Sequence, residues 1–203
     1  MRAGRTQHLG GCRILEAFAV STGVVALGEM GDKTQLLALL LAARFRAPRP
    51  IILGILVATL ANHALAAAFG AWLTRVIDPA WLRVALGDSF IAVALWMLVP
   101  DRAENLSANH RGGRLGVFGV TTIAFFLAEM GDKTQIATVM LAARYDALFT
   151  VTAGTTLGML IANVPAVMLG ERAVKFVPIA WVHRVAAAVF AVMGVAVLVG
   201  VNS

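Results

Sequence analysis

Apolar runs interrupted at short intervals by arginine, proline and aspartate divide the chain into six segments: Ile14–Ala43, Ile51–Leu73, Val84–Val99, Leu115–Ala143, Leu148–Gly170 and Ile179–Val201. A helix needs about 20 residues to cross the hydrocarbon core of a bilayer, so each run reads as a transmembrane helix. The first and fourth runs are longer than one perpendicular crossing requires, which predicts tilt, or a break near their central glycines. The expected fold is all-α and integral to a membrane, with almost nothing left for a soluble domain. Arg2 and Arg5 ahead of an apolar stretch imitate a secretory leader. That stretch runs into Glu29 rather than a small-residue cleavage site, so it reads as a retained helix.

Composition agrees with the pattern. Of the 203 residues 60% are hydrophobic and 14% charged, with mean hydropathy +0.83, a balance that a water-soluble surface does not carry. The single cysteine, Cys12, excludes a disulfide framework and a thiolate metal site. A net charge of +6 raises the question of nucleic acid, but the basic residues collect at helix ends, as at Arg44, Arg46, Arg49, Arg111 and Arg114. Membrane proteins keep their cytoplasmic positive charge in such places. With both termini outside, the cytoplasmic loops hold nine basic residues (Arg44, Arg46, Arg49, Arg102, Arg111, Arg114, Arg172, Lys175, Arg184), against six on the other side (Arg2, Arg5, Arg13, Arg75, Arg83, Arg144). That bias predicts a multi-pass cell-membrane protein with both termini outside.

The chain is internally duplicated. Glu29-Met30-Gly31-Asp32-Lys33-Thr34-Gln35 recurs unchanged as Glu129 to Gln135, and Leu41-Ala42-Ala43-Arg44 as Leu141 to Arg144, at an offset of 100. Gly70, Trp81 and Phe90 match Gly170, Trp181 and Phe190, and Asn62 matches Asn163 with a one-residue slip. Residues 1–100 form one three-helix repeat, 101–114 a central loop, and 115–203 the second repeat. Three crossings per repeat reverse the second relative to the first, so the predicted architecture is a pair of inverted repeats.

The repeated motif places Glu29, Asp32, Lys33, Glu129, Asp132 and Lys133 inside spans, where each ionisable group costs roughly 2.5–3.5 kcal/mol. Such groups persist where they face a cavity or one another. On a continuous helix Glu29 and Asp32 share a face, with Lys33 one turn from Glu29, and Glu129, Asp132 and Lys133 repeat the arrangement. Gly28, Gly31 and Gly131 permit close helix approach or a break that releases backbone carbonyls as ligands. Four carboxylates and two ammonium groups sum to −2, the charge one divalent cation neutralises. Hard oxygen ligands suit Ca2+, Mg2+ or Mn2+. The candidate ligands are Glu29, Asp32, Glu129 and Asp132, with Thr34, Gln35, Thr134, Gln135, Asn62 and Asn163 in support. The carboxylates hold protons when the metal is absent, and metal and proton then compete for the same oxygens.

Two copies of Glu-x-Gly-Asp-Lys-Thr, one near the start of each half of a six-span chain, resemble the signature Glu-x-Gly-Asp-[Lys/Arg]-[Thr/Ser]. It belongs to the membrane family that includes Golgi calcium/manganese-proton exchangers and bacterial manganese exporters. The resemblance covers nearly the whole chain and neither copy departs from the pattern. It implies exchange of Mn2+ or Ca2+ for protons, with Glu29, Asp32, Glu129 and Asp132 as the matching cation-binding residues and manganese efflux as the favoured activity. A distant likeness to lysine-exporter-type transporters keeps export of a small organic solute or amino acid as an alternative, beside a passive cation channel.

His-Glu-x-x-His, Gly-x-Ser-x-Gly and P-loop motifs are lacking, which argues against an intramembrane enzyme or an ATP-driven pump, and no cofactor is implied. The implied partners are a divalent ion, protons and lipid, in a monomer or a homodimer. His63 beside Asn62 is a secondary candidate for metal or proton, although the repeat has Val164 there. Asp88 is expected to cap its helix or pair with Arg83, and Glu16 to pair with Arg13. Pro165 is expected to kink its span near Asn163, and Trp72, Trp81, Trp96 and Trp181 to lie in interfacial belts.

Overall fold

The structure, a computed structural model, describes residues 3–98, 114–170 and 179–200. Among these the elements are all helical: α1 (Ala3–Glu29), α2 (Lys33–Phe45), α3 (Pro48–Val76), α4 (Pro79–Met97), α5 (Arg114–Glu129), α6 (Lys133–Tyr145), α7 (Leu148–Leu169) and α8 (Ile179–Val199). Four helices, α3, α4, α7 and most of α8, are long and apolar enough to cross a membrane. The pairs α1–α2 and α5–α6 bring the number to six if each is one bent span. Most of the central loop and the basic residues Arg102, Arg111, Arg172 and Lys175 lie outside the described residues.

The two long segments are broken rather than simply tilted. α1 turns into α2 through 70° and α5 into α6 through 73°. Each break has the same cause: the Asp N–H bonds back to the Glu carbonyl at 3.1 Å, and the glycine between them takes positive φ, 83° at Gly31 and 75° at Gly131. A turn with positive φ at its third residue admits glycine without strain. α2 and α6 also end alike, on a left-handed residue, Arg46 and Asp146.

α1 packs along α7, α5 along α3, and α4 along α8, while α3 also meets α6 and α7. In lipid there is no hydrophobic drive between helices, and small residues let backbones approach for dispersion contact instead. A Cβ on Gly154 would stand 2.8 Å from the Phe18 carbonyl, and one on Gly54 3.0 Å from the Phe118 carbonyl. Both crossings therefore depend on a missing side chain, at positions 100 residues apart. One apolar cluster joins α2, α3, α5 and α7 around Phe125, Leu41, Ile51 and Ile55. The other gathers around Phe90 and Phe190, repeat partners whose rings lie 6.1 Å apart.

α4 starts at Pro79, five residues before the predicted start, because the Asp78 carboxylate accepts the Ala80 N–H and Pro79 suits the first turn. Two expected ion pairs are absent. Asp88 is exposed and does not pair with Arg83, since residues five apart point to different sides of a helix. Glu16 accepts the Tyr145 hydroxyl at 3.2 Å instead of pairing with Arg13. Both charged residues are exposed, where an ion pair is worth little. All four tryptophans are exposed. Pro165 lies inside α7 without ending it.

Candidate cation site

The two breaks face each other where α3 and α7 cross between the bent pairs. At each break one helix ends on a glutamate and the next begins after an aspartate. Asp32 and Asp132 therefore sit at N-cap positions, yet neither carboxylate caps its own helix. They turn to the interior instead. Carboxylate oxygens of Glu29, Asp32 and Asp132 lie within 4.8 Å of one another, and among the described residues they form the group of acidic side chains placed to hold a metal ion. The three are at most 3% exposed.

The motif's internal geometry differs from the sequence expectation. The helix is interrupted between Glu29 and Lys33, so Glu29 and Asp32 converge through the turn and not through helical periodicity. Lys33 lies near enough to Glu29 to interact with its charge, and it also bridges the two motifs. Its ammonium reaches across to Asp132 Oδ1 at 3.2 Å, tying the first motif to the second. Lys133 is buried and lies 5.8 Å over the Trp96 ring, a cation-π contact.

Of the supporting residues, Thr34 donates its hydroxyl to Glu29 Oε2, and Thr134 donates to Asp132 Oδ2 at 3.3 Å. Both glutamines act as struts. Gln35 Oε1 accepts the Gly31 N–H at 3.0 Å and Gln135 Oε1 the Gly131 N–H at 2.8 Å, while Gln35 Nε2 donates to the Ala162 carbonyl at 2.9 Å. These bonds occupy the oxygens that the sequence offered as neutral ligands, and they hold each turn closed. Asn62 donates to the Phe126 carbonyl at 3.0 Å, linking α3 to α5. Asn163 donates to its own helix at Met159, and its buried Oδ1 has no hydrogen-bond partner among the described residues.

Glu129 stands apart from the group of three. Its Oε1 accepts Thr59 at 3.2 Å and its Oε2 lies 3.7 Å from His63 Nε2. Thr59 was missed from the sequence, although it lies one turn before Asn62 and His63 on α3. His183, also missed, places Nε2 3.1 Å from the Met30 carbonyl, touching the first break from α8.

The surroundings suit a cation. Glu29 and Glu129 end α1 and α5, at the negative end of each helix dipole. A group of hard oxygens without thiolate matches Mg2+, Ca2+ or Mn2+ chemistry.

The sequence profile of the family described as "Divalent cation/proton antiporter GDT1" matches residues 17–105 and 117–203. The chain belongs to this antiporter family. Within reach of it, a Vibrio cholerae protein named "Putative manganese exporter" is 48% identical over 184 residues, covering 90% of each chain. A GDT1-like protein of Synechocystis sp. is 31% identical over 179 residues, covering 78% of this chain and 84% of its own. No solved structure matches the chain. Membership of the GDT1 family, with several helices long and apolar enough to span, makes this a multi-pass membrane protein concerned with divalent cations and not an enzyme.

Proposed function

We propose that the protein exchanges a divalent cation, Mn2+ before Ca2+, for protons by alternating access between two inverted three-helix repeats. The observation that carries this reading is the meeting of Glu29 and Asp32 from one repeat with Asp132 from the other, their oxygens within 4.8 Å at two broken helices. Discontinuous helices whose ends converge on a shared site are the usual means by which inverted-repeat transporters hold an ion. Glu29, Asp32, Asp132 and Glu129 are the proposed cation-binding residues. Their carboxylates take up protons once the ion has left, because an uncompensated cluster of buried negative charge is too costly to persist. Each release of protons then accompanies entry of a new cation. Lys33, 3.2 Å from Asp132, ties the first motif to the second. The bias of basic residues supports both termini outside, in the cell membrane.

Manganese is preferred because the Vibrio cholerae relative bears that name and because all-oxygen carboxylate groups suit Mn2+ as well as Ca2+. The test is uptake of Mn2+ and Ca2+ into proteoliposomes under an imposed pH gradient, for the parent, Asp32→Asn and Asp132→Asn. The expected outcome is gradient-driven Mn2+ flux in the parent, accompanied by opposite proton movement, and a loss of at least about tenfold in either variant. Flux that ignores the gradient would instead fit a passive channel. Flux that survives both substitutions would remove the acidic cluster from the ion's path.

A further inference from the structure

His63 is a buried side chain of the site region that the exchange reading leaves without work. It lies within α3, 1% exposed, and neither ring nitrogen has a hydrogen-bond partner among the described residues. A histidine that is only core filling satisfies at least one nitrogen, since an unmatched buried polar group costs about 1–3 kcal/mol. The polar group facing it is Glu129 Oε2, 3.7 Å from Nε2, beyond the 2.7–3.2 Å range of a hydrogen bond. That separation has another meaning. Two ligand atoms each about 2.1 Å from a first-row dication stand about 3.0 Å apart at right angles and about 4.2 Å apart when opposite. The His63–Glu129 spacing falls between these limits.

Glu129 is also close enough to Glu29 and Asp132 to interact with their charges, so the pair adjoins the group of three carboxylates. Thr59 holds the other oxygen of Glu129, leaving Oε2 turned to the imidazole. Finally, the duplication breaks here: the position equivalent to His63 is Val164. The acidic residues come in matched pairs, whereas the nitrogen donor is supplied once.

We propose that His63 is a specificity-determining ligand: with Glu129 it forms a second coordination position beside the Glu29–Asp32–Asp132 cluster, and its nitrogen selects Mn2+ over Ca2+ and Mg2+. This rests on the reading that the cation passes through the acidic cluster. Imidazole is a good donor to transition-metal dications and a poor one to Ca2+ and Mg2+, which take oxygen ligands. Carboxylates alone bind all of these ions, so a single nitrogen is enough to rank them.

The test compares the parent with His63→Gln, which keeps a polar side chain of similar reach, and His63→Leu, which removes the donor. Mn2+ and Ca2+ uptake are measured in the same proteoliposomes. The expected result is a fall of about tenfold or more in the Mn2+ to Ca2+ preference in both variants, with Ca2+ uptake kept in His63→Gln. An unchanged ratio overturns the proposal while leaving the exchange reading intact. A parent that moves neither ion overturns both. Pulsed electron paramagnetic resonance of Mn2+ bound to the purified parent supplies a readout that survives misfolding of the variants. Nitrogen coupling that changes on 15N-histidine labelling supports ligation, and its absence overturns it. Where His63→Gln folds, loss of that coupling assigns it to His63 rather than His183.

Discussion

Gly131 isolates what a single backbone dihedral contributes to this site. Its φ is 75° and a Cβ there would meet nothing within 4 Å, so a substitution is penalised by torsion alone. Alanine in this left-handed region costs about 1–2 kcal/mol, and asparagine, which tolerates it better, costs less. Thermal unfolding of detergent-solubilised Gly131→Ala should show a lower midpoint than the parent, with Gly131→Asn between them. Equal midpoints for all three would mean that the turn does not need positive φ. Asp132 lies one residue beyond this turn, so relaxing it also moves a carboxylate of the cluster. The same reasoning separates the roles within the motif. The glycine makes the corner, the glutamine ties it by bonding the glycine N–H, and the two acids are left facing inward.

Among the elements, α1 and α7 test how far close approach stabilises the bundle. Gly154 faces the Phe18 carbonyl and Ser21, with a Cβ there falling 2.8 Å and 3.0 Å from their atoms. Backbone and a short side chain cannot swing aside as a long side chain can. Gly154→Ala should therefore destabilise by about 1–3 kcal/mol as the helices are pushed apart. Gly119, on α5, has open space at the same test, and Gly119→Ala should be neutral or stabilising, because alanine is the better helix former. If both substitutions shift the unfolding midpoint alike, helix propensity and not interhelical contact explains the effect. The bent pairs carry a related lesson. Helices α2 and α6 are 13 residues each, too short to cross alone, and they hold their place by packing on α7 and α3.

At the scale of the whole molecule, the repeats predict their own topology. Arg46 and Asp146 are equivalent corners, each closing the second half of a bent pair. If the halves are inverted, these corners lie on opposite sides of the membrane. The chain has one cysteine, Cys12, so Arg46→Cys and Asp146→Cys can each be labelled in a Cys12→Ser background. An impermeant thiol reagent added to intact cells should reach Asp146→Cys and spare Arg46→Cys, given both termini outside. Reaction of both from the same side would exclude inversion, and the reverse pattern would place the termini inside. The asymmetry of the site is a whole-molecule property as well. Glu129 faces His63 on α3, whereas the repeat position of His63 is Val164, so equivalent residues do not have equivalent partners.

Much of this was legible in the sequence. The apolar runs located α3, α4, α7 and α8 to within about five residues, because burial of backbone polar groups in lipid leaves helices as the solution for such runs, while α1 begins at Ala3, well before Ile14. The duplication marked Glu29, Asp32 and Asp132, since a charge inside a span has to find a reason to stay. What periodicity misjudged was the link between Glu29 and Asp32: a continuous helix and a glycine-centred turn both bring residues three apart together, and local spacing does not separate them. The long-range pairings required the folded chain. Lys33 with Asp132, Gln35 with the Ala162 carbonyl, and Glu129 with Thr59 and His63 join residues from 66 to 127 positions apart. Sequence alone determined which groups must be buried together in a membrane; the tertiary structure decided which of them touch, because two identical motifs meet different neighbours once the helices between them have packed.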